Sequence, residues 1–225
     1  MATSGTKTFQ LTIADTIEEA YELAGLELRT GYDAETARRS LNIIFADWSN
    51  RGINLWTIEQ ETTNLTSGTN SYTLNSYDLD IVSAIIRQID SASNTTDLQL
   101  TRIGRSEYLN IPDKSSTGRP TQYFVDRQIT PVVKLWPTPD STYTYKLVAN
   151  TIQRIDDVTA SAQDPEVPSR FMPCMASGLA YYIALKKNPE KAAMLKQQYE
   201  QDFKLAADED RNRASLHLVP SRSYL

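Results

Sequence analysis

Cysteine is all but missing from this sequence: Cys174 stands alone among 225 residues. A single cysteine excludes an internal disulfide and any multi-cysteine metal site. Histidine is as scarce. His217, near the C-terminal end, is the only one, so a histidine-dependent nucleophilic triad has one residue to draw on, set in a segment without helix period. Glycine totals 8, scattered at turns and caps, and no Gly-rich phosphate loop can be read. Basic excess is lacking too. The formal net charge is −5 and the pI about 5.0, whereas a general nucleic-acid binder needs cations to displace counterions from phosphates. Long apolar runs are absent. The strongest, "IVSAII" at Ile81 to Ile86, is far shorter than the roughly 20 residues a bilayer span takes. The start, "MATSGTKTFQ", has no apolar h-region. These absences predict a protein made in a cytoplasm, with no membrane partner. No internal repeat is visible.

What is present is a globular composition, with 40% hydrophobic and 23% charged residues. The length suits one large domain or two small ones. Helical spacing comes first. In "TIADTIEEAYELAG", Ile13, Ile17, Ala20, Tyr21 and Ala24 fall on one face, with Thr12 as cap and Gly25 as stop. In "DAETARRSLNIIFADWSNRG", Ala37, Leu41, Ile44, Phe45 and Trp48 share a face, with Asp33 expected as N-cap and Gly52 as stop. The short connection between them favours an antiparallel pair.

The period then changes. "INLWTIEQETTNL", "LDIVSAIIRQI", "LQLTR", "TQYFVDRQ", "VVKLW" and "YTYKLVANTI" read as strands separated by polar turns, with one helical turn at Ser106 to Asn110. Between "VVKLW" and "YTYKLV" stands "PTPD". Pro137 ends the incoming strand, and Pro139 with Asp140 suit the centre of a type I turn, so the stretch is expected to be a hairpin. Helices return after a polar crossover. "MPCMASGLAYYIALKK" places Met172, Met175, Leu179, Tyr182 and Ile183 on one face and Ala176, Ala180 and Ala184 in a small-residue stripe. Asn188 and Pro189 open a last helix, in which Leu195, Tyr199 and Phe203 repeat every fourth residue.

The expected fold is α+β: an antiparallel four-helix bundle formed by both chain ends (residues 11–52 plus 168–213), an inserted antiparallel β domain (53–167), and an extended C-terminal tail (214–225).

Chemistry is thinly represented. The carboxylate pairs Asp78 with Asp80, and Asp156 with Asp157, could serve acid–base hydrolysis of a glycan. Neither sits in a motif, and Asp78 and Asp80 would share a strand face. Trp48 and Trp56 could form a carbohydrate platform, though such residues more often seal a joint between packed layers. Cys174 lies in an apolar helical neighbourhood and reads as a small core residue. No enzyme activity, cofactor or metal is expected from these residues.

The order of the pieces carries more than any one of them. "LNIIFADWSNRGINLWTIEQET", "LTSGTNSYTL", "GRPTQYFVDRQITPVVKLWPTPDSTYTYKL" and "VPSRFMPCMASGLAYYIALKK" together resemble the head-to-tail adaptor family of short-tailed bacteriophages, which includes the tail accessory factors and the tubular tail proteins called gatekeepers. The likeness covers most of Ile13 to Phe203. It implies a structural virion protein at the head–tail junction, assembled in the host cytoplasm. Its partners would be the portal protein, the tail nozzle or tail fibre and spike proteins, and further copies of itself in a ring of twelve that helps retain packaged DNA. Genomic DNA would pass through the channel without specific binding, which an acidic composition favours. Given that likeness, Leu216, Leu218, Val219, Tyr224 and Leu225, which the tail cannot bury by itself, are the portal-docking candidates. The alternative is a glycan-binding module using Trp56, Tyr143 or Tyr145, or a cell-wall-hydrolysing one, acting in host entry.

Overall fold

A computed structural model describes residues 5–6, 9–29, 31–52 and 55–210. They fall into two compact units, Met1–Leu55 with Asp156–Leu225, and Trp56–Ile155.

The first unit is helical. Helix α1 (Ile13–Leu23) opens with a capping box: Thr12 Oγ1 accepts from the Asp15 amide, and the Asp15 carboxylate accepts from the Thr12 amide, both at 3.2 Å. The next two free amides, of Ile13 and Ala14, donate to the carbonyls of Gln163 and Ser161 at 3.0 Å. The crossover after Ile155 is thereby tied to the helices, and Asn42 fastens it again by accepting from the Val158 amide at 2.8 Å. Gly25, at φ +69°, ends α1 in the left-handed region that favours glycine.

Helix α2 (Gly31–Asn50) starts two residues before the expected cap. Asp33 does not cap it. The residue sits in the first turn, buried, and its carboxylate accepts from Lys187 Nζ at 2.5 Å. A negative charge there still suits the positive end of the helix.

The four-helix bundle expected from the sequence is not what forms. Helix α4 (Met172–Lys187) is a hub, against which α1, α2 and α5 (Pro189–Glu209) each pack, while α1 and α2 meet only sparingly. The reason lies in the α4 sequence. Met172, Cys174, Met175, Ala176, Ser177, Gly178, Leu179, Ala180, Ile183 and Ala184 are all buried, and they occupy every side of the helix. A bundle member keeps a polar face towards water, and α4 has almost none. The overall α+β class holds. The extended tail lies outside the described residues.

Helices α4 and α5 approach closely at Gly178. A Cβ there would lie 2.8 and 2.9 Å from two Tyr199 ring carbons. Asn188 occupies the cap position of α5, but its side-chain amide donates to the Ala24 carbonyl at 2.9 Å and makes no cap bond to its own helix.

The second unit holds two four-stranded sheets. One comprises β1 (Ile58–Asn64), β3 (Asp78–Ile89), β4 (Thr95–Gln99) and β10 (Thr144–Gln153), in the order β1-β10-β3-β4, all antiparallel. The other comprises β2 (Ser71–Thr73), β5 (Thr101–Arg102), β7 (Gln122–Asp126) and β8 (Val132–Trp136), in the order β2-β8-β7-β5. Two short pairs, β5 with β7 and β6 (Thr117–Gly118) with β9 (Thr138–Pro139), are parallel. Ile81, Ala84, Ile86, Leu147 and Ala149 from the first sheet pack with Tyr123, Val125, Val133 and Leu135 from the second into one apolar cluster. A short helix, α3 (Arg105–Asn110), lies against β7, with Tyr108 stacked on Phe124 at 5.4 Å.

The hairpin expected at "WPTPD" does not exist. β8 pairs with β2 and β7, while β10 pairs with β1 and β3, so the segment carries the chain from one sheet to the other. Pro139 lies in β9, and the Trp136–Pro137 peptide is cis. Asp140 starts the turn: its carboxylate accepts from the Thr142 amide at 3.0 Å and the Tyr145 hydroxyl at 3.2 Å. Both strands alternate as a hairpin would, and alternation does not say which strand is the partner.

Candidate functional site

The residues singled out for chemistry are scattered. Asp78 and Asp80 do not share a face. Asp80 lies opposite Ile152 and Asp78 opposite Gln153, so an irregularity falls between them and breaks the two-residue alternation. Asp80 is held by Arg102 at 2.9 Å and Arg127 at 3.7 Å. Asp78 is almost wholly buried, and its Oδ2 accepts from the Asn75 amide at 2.8 Å. Asp156 and Asp157 line a cavity of about 70 Å³ with Ile13, Val158 and Gln163. Ligand pockets begin at roughly 300 Å³.

The aromatic candidates divide in the same way. Trp48 is wholly buried between Phe45, Phe171 and Phe203. Tyr145 is buried, with its hydroxyl on Asp140 and its phenol pushed up to about 12, chiefly by burial. It has no face to offer a sugar. Tyr143 meets its edge from a partly exposed position. Cys174 has no exposed surface, and burial pushes its thiol far up, out of the range of a reactive thiolate. His217, Leu216, Leu218, Val219, Tyr224 and Leu225 lie outside the described residues.

Two features escaped sequence reasoning. The first is a polar strut through the helical unit. Trp48 Nε1 donates to the Tyr199 hydroxyl at 3.0 Å, and that hydroxyl donates to Asp47 at 3.2 Å. Arg51 bonds Asp47 at 2.9 Å and Glu200 at 2.8 Å, and its guanidinium lies 4.4 Å from the Phe203 ring centroid. Burial pushes the Tyr199 phenol up, so it remains a neutral donor. The strut fixes the end of α2 on α5.

The second feature is a pair of solvent-facing helix stripes, each carrying two large apolar side chains among polar ones. On α2, Tyr32, Glu35, Arg39, Ile43 and Ala46 are exposed at helical spacing, opposite the buried Ala37, Leu41, Ile44 and Trp48. On α5, Met194, Gln198, Gln201 and Leu205 do the same. Tyr32 is 70% and Ile43 49% exposed, Met194 59% and Leu205 72%. In each stripe the two large side chains stand eleven residues apart, which is about 16 Å along a helix. Sequence patterning missed them because a lone apolar residue on a polar face is ordinary, and exposure is read only from the packing of the described residues.

The chain is a phage adaptor in class, a structural component of the virion. It belongs to the SU10 adaptor protein family, whose sequence model matches residues 12–220. No curated protein matches the chain. Among the described residues, no helix is long and apolar enough to cross a membrane.

Proposed function

We propose that this protein is the head-to-tail adaptor of a short-tailed phage: it assembles as a ring of twelve beneath the portal, joins head to tail and helps retain packaged DNA. The observation that carries the reading is the family match across nearly the whole chain. A closed ring repeats one heterologous contact, patch against unlike patch. The solvent-facing stripes of α2 and α5 suit that contact, with a second copy of this chain as occupant. They are two different surfaces of one unit, and each leaves large apolar side chains in water. The tail residues Leu216, Leu218, Val219, Tyr224 and Leu225 are the proposed portal anchors. Tail nozzle or fibre proteins are the proposed partners at the opposite end.

Electron microscopy of the purified full chain, with and without portal rings, tests this. The expected result is a twelve-fold ring seated on the portal. A chain ending at Arg213 should fold and fail to bind. Full chain that never associates with portal rings overturns the reading.

A further inference from the structure

The β unit contains a buried carboxylate that the adaptor function does not use. Asp78 opens β3 with 2% of its surface exposed. Its Oδ2 accepts from the Asn75 amide, while its Oδ1 is buried and has no hydrogen-bond partner. Asn75, in the turn between β2 and β3, also reaches the other way: its side-chain amide donates to Glu61 Oε1 on β1 at 2.8 Å. The Gln153 amide, at the end of β10, donates to the same oxygen at 3.2 Å. One turn residue therefore spans two acids from two strands.

The charged and titratable groups at this end of the strands are few, since Arg87 on β3 and Lys146 on β10 face each other farther along the sheet. β1 supplies Glu59 and Glu61, and β3 supplies Asp78, Asp80 and, just before it, Tyr77. The end of β10 supplies Arg154, whose amide bonds the Tyr77 carbonyl at 2.9 Å. Asp80 is neutralised by Arg102 and Arg127. Burying an ionised oxygen without a partner costs far more than burying a neutral carboxyl, and the group takes up a proton instead.

We propose that the folded β unit holds one proton on the buried Asp78 carboxyl, and that this proton steadies the joint, bridged by Asn75, between β1, the β2–β3 turn and the end of β10. Electrostatics agree. Burial pushes the Asp78 carboxyl above its ordinary range, against the pull of the Asn75 and Gln153 donors. Burial and then Asp78 push Glu61 up as well. When a folded-state value lies above the unfolded one, the folded state binds more protons between the two. Stability gained at this joint therefore rises as pH falls through the folded value, and levels off below the unfolded value. Weak acid tightens the joint.

The test is urea unfolding of the full chain between pH 8 and pH 5, for the wild type, Asp78→Asn and Glu61→Gln. Asp78→Asn mimics the protonated acid, so at pH 8 it should unfold at higher urea than the wild type. The wild type should close that gap as pH falls, by at most tenfold in the folded-to-unfolded ratio per pH unit, the limit for one proton. Differences between proteins are read because Asp90, Asp97, Asp113, Asp126 and Glu200 are all held low and respond to acid with the opposite sign. A gap that does not change with pH overturns the proposal, as does an Asp78→Asn protein less stable at pH 8. Should a variant fail to fold, carboxyl ¹³C NMR of labelled wild-type chain decides. One carboxyl should titrate clearly above the ordinary range of about 4. If every carboxyl titrates at or below that range, no proton is held.

Discussion

The indole N–H of Trp48 and the hydroxyl of Tyr199 meet at 3.0 Å across 151 residues of sequence, inside the helical unit. The hydroxyl accepts from a wholly buried donor. Tyr199→Phe should therefore lower stability by about 1–3 kcal/mol, the cost of stranding a buried polar group. Urea unfolding followed by tryptophan fluorescence measures it. A loss below a few tenths would show that the bond does not bear on stability.

Gly178 faces the same ring. Gly178→Ala usually improves a helix by roughly 1 kcal/mol. Here the added methyl would press on Tyr199 at 2.8 Å, and overpacking costs about 1–3 kcal/mol. The variant should be less stable than the wild type, the reverse of the helix-propensity trend. A thermal melt distinguishes the two signs.

Glu200 is held below its usual range, first by its hydrogen bond to Arg51. A depressed folded value means the contribution is present at neutral pH and is lost as pH falls through that value. Glu200→Gln should cost under about 1 kcal/mol at pH 7, since the pair is partly exposed. The deficit should shrink as pH falls through the depressed folded value, which denaturation curves recorded across a series of acidic pH values would reveal.

Cys174 should resist a maleimide probe in the folded chain and react fully in urea, because only opening of the helical unit exposes it. Labelling read by mass spectrometry within minutes under native conditions would contradict the burial described.

Ile43→Glu and Leu205→Glu should leave stability within about 0.5 kcal/mol of the wild type, as for exposed positions generally. Each should nonetheless abolish ring formation on the portal, if the stripes carry the subunit contact. Intact rings with both variants would remove α2 and α5 from that role.

Much of this was legible in the sequence, for reasons that differ by element. Thr12, Gly25 and Gly52 announce helix ends because caps and positive φ are local chemistry. The buried faces of α1 and α2 follow from spacing alone. The role of α4 did not, because picking one face from "MPCMASGLAYYIALKK" hides that the other faces are equally able to be buried. Asp33 looked like a cap until Lys187, 154 residues away, was seen to claim it. "WPTPD" looked like a hairpin because prolines mark a turn without saying which sheet comes next. Of the candidate site, the inward aromatics were readable. The solvent-facing stripes were not, since exposure is a property of the packed unit.

The first and last strands of the β unit are paired partners, with Ile58 opposite Ile152. Neighbouring strands run about 5 Å apart, so the chain of this unit begins and ends side by side. Opening that one pair of strands would therefore free both ends of the unit's chain at once.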